Sequence, residues 1–152
     1  MAVLLAFDPG KTTGFVYGRY EDDQPFEIDQ VGHATTEEYF SMLGVLEEGG
    51  REVTVVCEDF VLRRGKAMTS DQTSPLNLIG ALQYVAFQDQ KTITVVMQSP
   101  SAAKQVTDEH LDKLGFLRTP KTKWDHANDA MRHAVLYLKN NKHMPTLEGG
   151  FK

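Results

Sequence analysis

Cysteine is nearly absent. The 152 residues hold one, Cys57, so no disulfide can form within the chain, and the reading is of a protein kept in a reducing compartment. Long apolar runs are missing as well. The run over residues 3–7 falls far short of the ~20 residues that a membrane-spanning helix needs. The first residues carry no basic leader, so the expected location is cytoplasmic, in a bacterial cytosol or a virus-infected cell. Repeats, low-complexity tracts and Gly/Ser linkers are absent too, and the length suits a single domain over 1–152. With 41% apolar and 24% charged residues, gross disorder is excluded. The net charge of −5 speaks against non-specific nucleic-acid binding. Its distribution is uneven, however. Residues 1–60 hold 13 acids against 3 bases, and residues 61–152 hold 13 bases against 8 acids. Such a division can still leave one basic face on the folded chain.

What is present reads as alternating strands and helices. Residues 3–7 are continuously apolar, as in a central strand buried on both faces. Asp8-Pro9-Gly10-Lys11-Thr12-Thr13-Gly14 is a turn. Strands over 15–20 and 26–31 complete an antiparallel meander. Thr35 or Thr36 caps a helix to about residue 48, with Glu37 and Glu38 in its first turn and Phe40, Leu43 and Leu46 as its apolar stripe. A β-branched strand over 53–57 ends at Glu58-Asp59. A polar loop over 61–74 follows. Pro75 opens a helix whose stripe over 76–87, from Leu76 through Leu82 and Val85 to Phe87, is broader than one packing face requires. A strand over 92–97, short helices at 99–104 and 108–114, a basic connector containing Lys121 and Lys123, and a helix over 124–140 complete an α/β chain. The crossover through the first helix can lay the fourth strand beside the first.

Acidic residues fall where strands end. Asp8 closes the central strand and Glu58 the fourth, and Asp129 lies in the last helix with His126 three residues before it. Paired strands lie ~4.8 Å apart, so Asp8 and Glu58 can share a metal if their strands are parallel neighbours. His126 and Asp129 at i,i+3 share a helix face, as do Asp125 and Asp129 at i,i+4. Oxygen-rich ligand sets select Mg²⁺ or Mn²⁺, and two such ions ~3.5–4 Å apart serve phosphodiester hydrolysis. Arg63, Arg64 and Lys66 directly follow Glu58 and can contact phosphates, as can Lys121 and Lys123. Each residue also has a plain structural reading: Asp8 as cap of the Pro-Gly turn, Glu58 as a solvated strand end, Asp125 as a helix N-cap, Trp124 as packing at the helix start.

Four segments in order carry a resemblance. Leu4-Leu5-Ala6-Phe7-Asp8-Pro9-Gly10 with Gly14 resembles the opening of RuvC-like resolvases, and Val55-Val56-Cys57-Glu58 resembles their second acidic strand. Gln98-Ser99-Pro100 with Lys104 is similar to their strand-to-helix segment, and His126-Ala127-Asn128-Asp129-Ala130 to their closing His/Asp-x-x-Asp-Ala motif. The resemblance implies an RNase H-like fold, a five-stranded mixed sheet flanked by helices. It implies a homodimeric, Mg²⁺-dependent (or Mn²⁺-dependent) endonuclease, with two ions, acting on four-way DNA junctions. Asp8, Glu58, Asp129 and His126 would hold the metals, Lys104 would contact the backbone or the transition state, and helix 76–87 would form the dimer interface.

Other readings have less behind them. A Walker-type phosphate loop at Gly10-Lys11-Thr12 fails, because the required earlier glycine is Leu5. Another RNase H-like nuclease, acting on flap or branched DNA or on RNA, and a junction-binding module without catalysis stay open.

Overall fold

The computed structural model describes residues 1–61, 65 and 70–151. A five-stranded sheet has the order β3-β2-β1-β4-β5. β1 (Ala2–Asp8), β2 (Thr13–Glu21) and β3 (Gln24–Ala34) form the expected antiparallel meander. β4 (Val53–Glu58) pairs parallel to β1, and β5 (Ile93–Gln98) parallel to β4. The mixed sheet arises because a hairpin can join antiparallel neighbours directly, whereas parallel neighbours require a helical crossover. α1 (Thr36–Gly49) and α2 (Ser70–Gln88) provide the two crossovers.

β1 is buried on both faces, and its alternation divides two cores. Leu5 and Phe7 join Val55 and Cys57 beneath α1 and α2. Leu4 and Ala6 join Val56 beneath α5 (Asp125–Asn140) through Met131, Ala134, Val135 and Leu138. α3 (Pro100–Ala103), α4 (Asp108–Lys113) and α6 (Met144–Leu147) are short. α6 docks through Thr146, whose hydroxyl accepts the Phe26 N–H at 2.7 Å. Among the described residues no helix is long and apolar enough to cross a membrane.

Several local expectations are corrected. Thr35 caps α1 and forms a capping box with Glu38. From that start, Tyr39, Leu43 and Leu46 face inward and Phe40 is 48% exposed. Tyr39 takes the inward place because its ring meets Phe7 edge-on and its hydroxyl donates to the Leu78 carbonyl at 2.8 Å. α2 begins at Ser70 rather than at Pro75, so the helix extends into the expected loop. The proline forgoes one backbone donor without ending the helix. The breadth of its stripe is divided between two environments: Leu78, Ile79, Leu82 and Val85 are buried, while Tyr84 and Phe87 stand 62% and 68% exposed. Trp124, not Asp125, occupies the N-cap position of α5.

Candidate active site

The parallel pairing of β1 with β4 brings their C-terminal ends together. Phe7 is in register with Cys57, and Asp8 and Glu58 are the next residue on each strand. This is the edge of an open α/β sheet where ligands bind. Beyond it stands the first half of α5. Gly14, paired with Asp8 across β1 and β2, lets α5 approach: a Cβ at residue 14 would lie 1.9 Å from the His126 carbonyl oxygen. The second glycine of the opening motif is thus a packing requirement between two backbones. Gly14→Ala is expected to destabilise the fold by ~1–3 kcal/mol, measured by thermal or denaturant unfolding. A stability equal to the parent's would show that α5 can retreat without cost.

Asp8 is 8% exposed. Burial pushes its pKa up to about 6; the hydrogen bond to His126 works the other way, and the charges of Glu58 and Asp129 raise it further. The capping of the Pro-Gly turn is not its role, since its Oδ2 lies 2.9 Å from His126 Nδ1. Burial disfavours the charged form of His126, but the Asp8 hydrogen bond and the charges of Asp8, Asp125 and Asp129 outweigh that and raise its pKa above the usual histidine value.

Each of the three carboxylates meets a basic side chain from α5. Asp8 has His126. Glu58 Oε2 lies 2.8 Å from Nε2 of His133, a fully buried ring whose Nδ1 lies 2.9 Å from Oε1 of Gln98. Glu58 and Gln98 are register partners on β4 and β5, so His133 fastens the ends of two strands to α5. Asp129 Oδ1 accepts from Arg132 Nη1, and Arg132 Nη2 donates to Asp108 at the start of α4. The other oxygen of Asp108 takes Lys121 Nζ at 2.7 Å. Lys121 first, and then Arg132, hold Asp108 below the usual carboxylate range.

Among the described residues, no three His, Cys, Asp or Glu side chains stand close enough to share one ion as they are arranged. The carboxylates are turned to their α5 partners instead. In donor chemistry the set suits a hard dication: three carboxylates, of which Asp8 is buried and under the charge of the other two, beside one imidazole.

A cleft of about 490 Å³ borders the acids and is lined by Glu58, Lys104, Asp108, Asp129 and Arg132. Lys104 is exposed there. A larger groove, about 580 Å³, lies under α1 against Val3, Leu5, Phe15 and Met42, and holds none of the candidate acids. Of the other candidate cations, Lys121 is engaged with Asp108, and Lys123 Nζ sits 5.8 Å from the Trp124 ring. That ring neighbours His33, which in turn neighbours His126. Arg63, Arg64 and Lys66 lie outside the described residues. The sequence reading missed Arg132 and His133. Their signal was one further helical turn: both follow Asp129, at i+3 and i+4, on the face that the His126-x-x-Asp129 spacing had already marked.

No protein-family model matches the chain, and no curated protein matches it. Solved structures do. Thermus thermophilus RuvC in complex with a Holliday junction substrate is 18% identical with a TM-score of 0.67, over 94% of this chain and 97% of that one. A second Thermus thermophilus RuvC structure is 17% identical with a TM-score of 0.57, over 91% and 96%. The yeast mitochondrial Holliday junction resolvase Ydc2 is 15% identical with a TM-score of 0.58, over 93% and 81%. The fold is therefore the one that RuvC adopts, the RNase H-like α/β architecture with a five-stranded mixed sheet.

Proposed function

We propose that this chain, a single nuclease domain over 1–152, is a divalent-metal-dependent, structure-selective endonuclease that cleaves four-way DNA junctions. The observation behind the reading is the convergence of Asp8, Glu58 and Asp129 at the C-terminal edge of the two central parallel strands, on a fold shared with a RuvC bound to a Holliday junction. Asp8, Glu58, Asp129 and His126 would hold Mg²⁺ or Mn²⁺. Two ions held by these residues would supply the activation of a water and the stabilisation of the 3′ leaving oxygen.

The protein's own groups prepare that site. Burial and mutual repulsion keep Asp8 poised to give up a proton in exchange for a cation. His133 fixes Glu58 in orientation through Gln98. Lys104, exposed at the cleft, offers a point charge to the phosphodiester backbone. Lys123 beside Trp124, with Arg63, Arg64 and Lys66 after β4, would position the DNA arms.

A homodimer completes the proposal, because two symmetric nicks suit two-fold symmetry. Tyr84 and Phe87 on α2 are large, apolar and exposed, in the helix the sequence singled out for the interface. Tyr84→Glu combined with Phe87→Glu is expected to yield a folded monomer that nicks junctions singly. Sedimentation velocity and a nick-versus-double-cut assay check this, and an unchanged dimer would move the interface elsewhere.

The test of the reading is a cutting assay with Mg²⁺ or Mn²⁺ on a labelled four-way junction, a flap, a linear duplex and an RNA–DNA hybrid. Paired symmetric cuts near the crossover are expected. Cutting of flap or hybrid instead would reassign the substrate. Tight junction binding without any cutting would make the chain a binding module.

A further inference from the structure

Arg132 stands apart from the other two basic partners supplied by α5. His126 and His133 each contact one carboxylate of the acidic edge. The Arg132 guanidinium instead spans two, using Nη1 on Asp129 and Nη2 on Asp108. Its side chain is 20% exposed and lines the cleft that Glu58, Lys104 and Asp129 also border. Asp108 is itself held on its other oxygen by Lys121. The arginine is thus fastened at one end to Asp108, a carboxylate at the start of α4 on the wall of the cleft, and at the other end to one of the acids of the edge itself.

That arrangement has a consequence for cation uptake. A dication that enters beside Asp8 and Glu58 and draws on Asp129 Oδ1 meets an oxygen already bound to Arg132 Nη1. Arginine and metal therefore compete for one carboxylate. When Asp129 turns to the metal, Arg132 keeps its anchor at Asp108 and has Nη1 free at the cleft wall. A planar guanidinium with five N–H donors matches the non-bridging oxygens of a phosphodiester better than a point charge does.

We propose that Arg132 is an exchanging residue: it holds Asp129 while the site lacks metal, and it grips a phosphate of the bound strand once metal has taken Asp129. The competition half rests on the proposed metal site, and the phosphate half also on the nuclease reading.

Metal affinity of the free protein, followed by titration calorimetry with Mn²⁺ and no DNA, tests the first half. Arg132→Gln removes the competitor and is expected to bind Mn²⁺ roughly 3–10-fold more tightly, since a charge next to a ligand shifts its affinity by about one logarithmic unit. Single-turnover nicking of a four-way junction at saturating Mn²⁺ tests the second half. There the same variant is expected to be slower by roughly 100-fold, the lower end of the scale for losing one aimed donor. Arg132→Lys keeps a positive charge, so its Mn²⁺ affinity should stay near the parent's. Its rate should remain low, because an ammonium cannot span Asp108 and a phosphate as a fork does. Circular dichroism confirms that both variants are folded. Unchanged or weaker Mn²⁺ binding by a folded Arg132→Gln overturns the competition. An undiminished rate at saturating metal overturns the phosphate grip. If the parent binds Mn²⁺ but cuts no substrate, the nuclease reading and the phosphate half fall together, while calorimetry still decides the competition.

Discussion

Asp8→Asn is expected to stop cutting and, in the same protein, to raise stability in the absence of metal. The loss of rate should reach ~10³-fold or more, as when a residue that works as one unit with its neighbours is removed. The gain in stability follows from proton linkage. The carboxyl of Asp8 is raised from 3.8 to about 6 by burial and by the charges of Glu58 and Asp129, against the pull of His126. The folded state thus favours the protonated form. The resulting penalty is absent below pH 3.8, builds as pH rises to about 6, and is fully present above it. Asparagine escapes the penalty. At pH 7–8 in a chelator the variant should gain ~1–3 kcal/mol, with the lost charge-assisted bond to His126 drawing the figure toward the lower end. At pH 4 the two proteins should differ little. Added Mg²⁺ should then raise the melting temperature of the parent and not that of the variant, because under the proposed site only the parent keeps the carboxylate that would hold it in the folded state. Melting curves across pH, with chelator and with Mg²⁺, read all three effects. A variant less stable than the parent at pH 8 would show that the Asp8–His126 bond outweighs the burial of the charge.

Cutting should also depend steeply on pH when metal is limiting. Asp8 holds its proton up to about pH 6, and His126 stays protonated above the usual histidine range because Asp8, Asp125 and Asp129 face it. A dication at these ligands must displace both protons. Below pH 6 the rate at limiting Mg²⁺ is therefore expected to fall toward ~100-fold per pH unit, a factor of ten for each proton released. Saturating Mg²⁺ should move the acid limb to lower pH. Calorimetry in buffers of different ionisation heat counts the protons released on binding. A slope of one with a single proton would remove His126 from the ligand set and leave it as a partner of Asp8.

Much of the architecture was legible locally. The apolar run ending at Asp8, the β-branched run ending at Glu58, the Thr35 cap and the i,i+3 pair on the last helix are short-range patterns, and the sheet places each where its pattern implied. The errors were ones of phase and boundary. Tyr39 rather than Phe40 faces the core because a ring partner and a carbonyl acceptor await it there. α2 starts before Pro75 because an absent donor does not by itself end a helix.

The sequence by itself determined the order of elements and set three acids at the ends or on the faces of those elements, because strand and helix periodicity depend on near neighbours alone. Only the tertiary structure decided what each acid touches. His126 and Asp8 are 118 residues apart, and His133 and Glu58 are 75 apart. No local pattern encodes such a contact. It follows from the parallel pairing of β1 with β4 and from the close approach that Gly14 permits to α5. The same long-range placement turned Arg132, an unremarked helix residue in the sequence, into a bridge between Asp129 and Asp108. In this fold the sheet edge gathers the negative charge and one helix brings the bases that balance it.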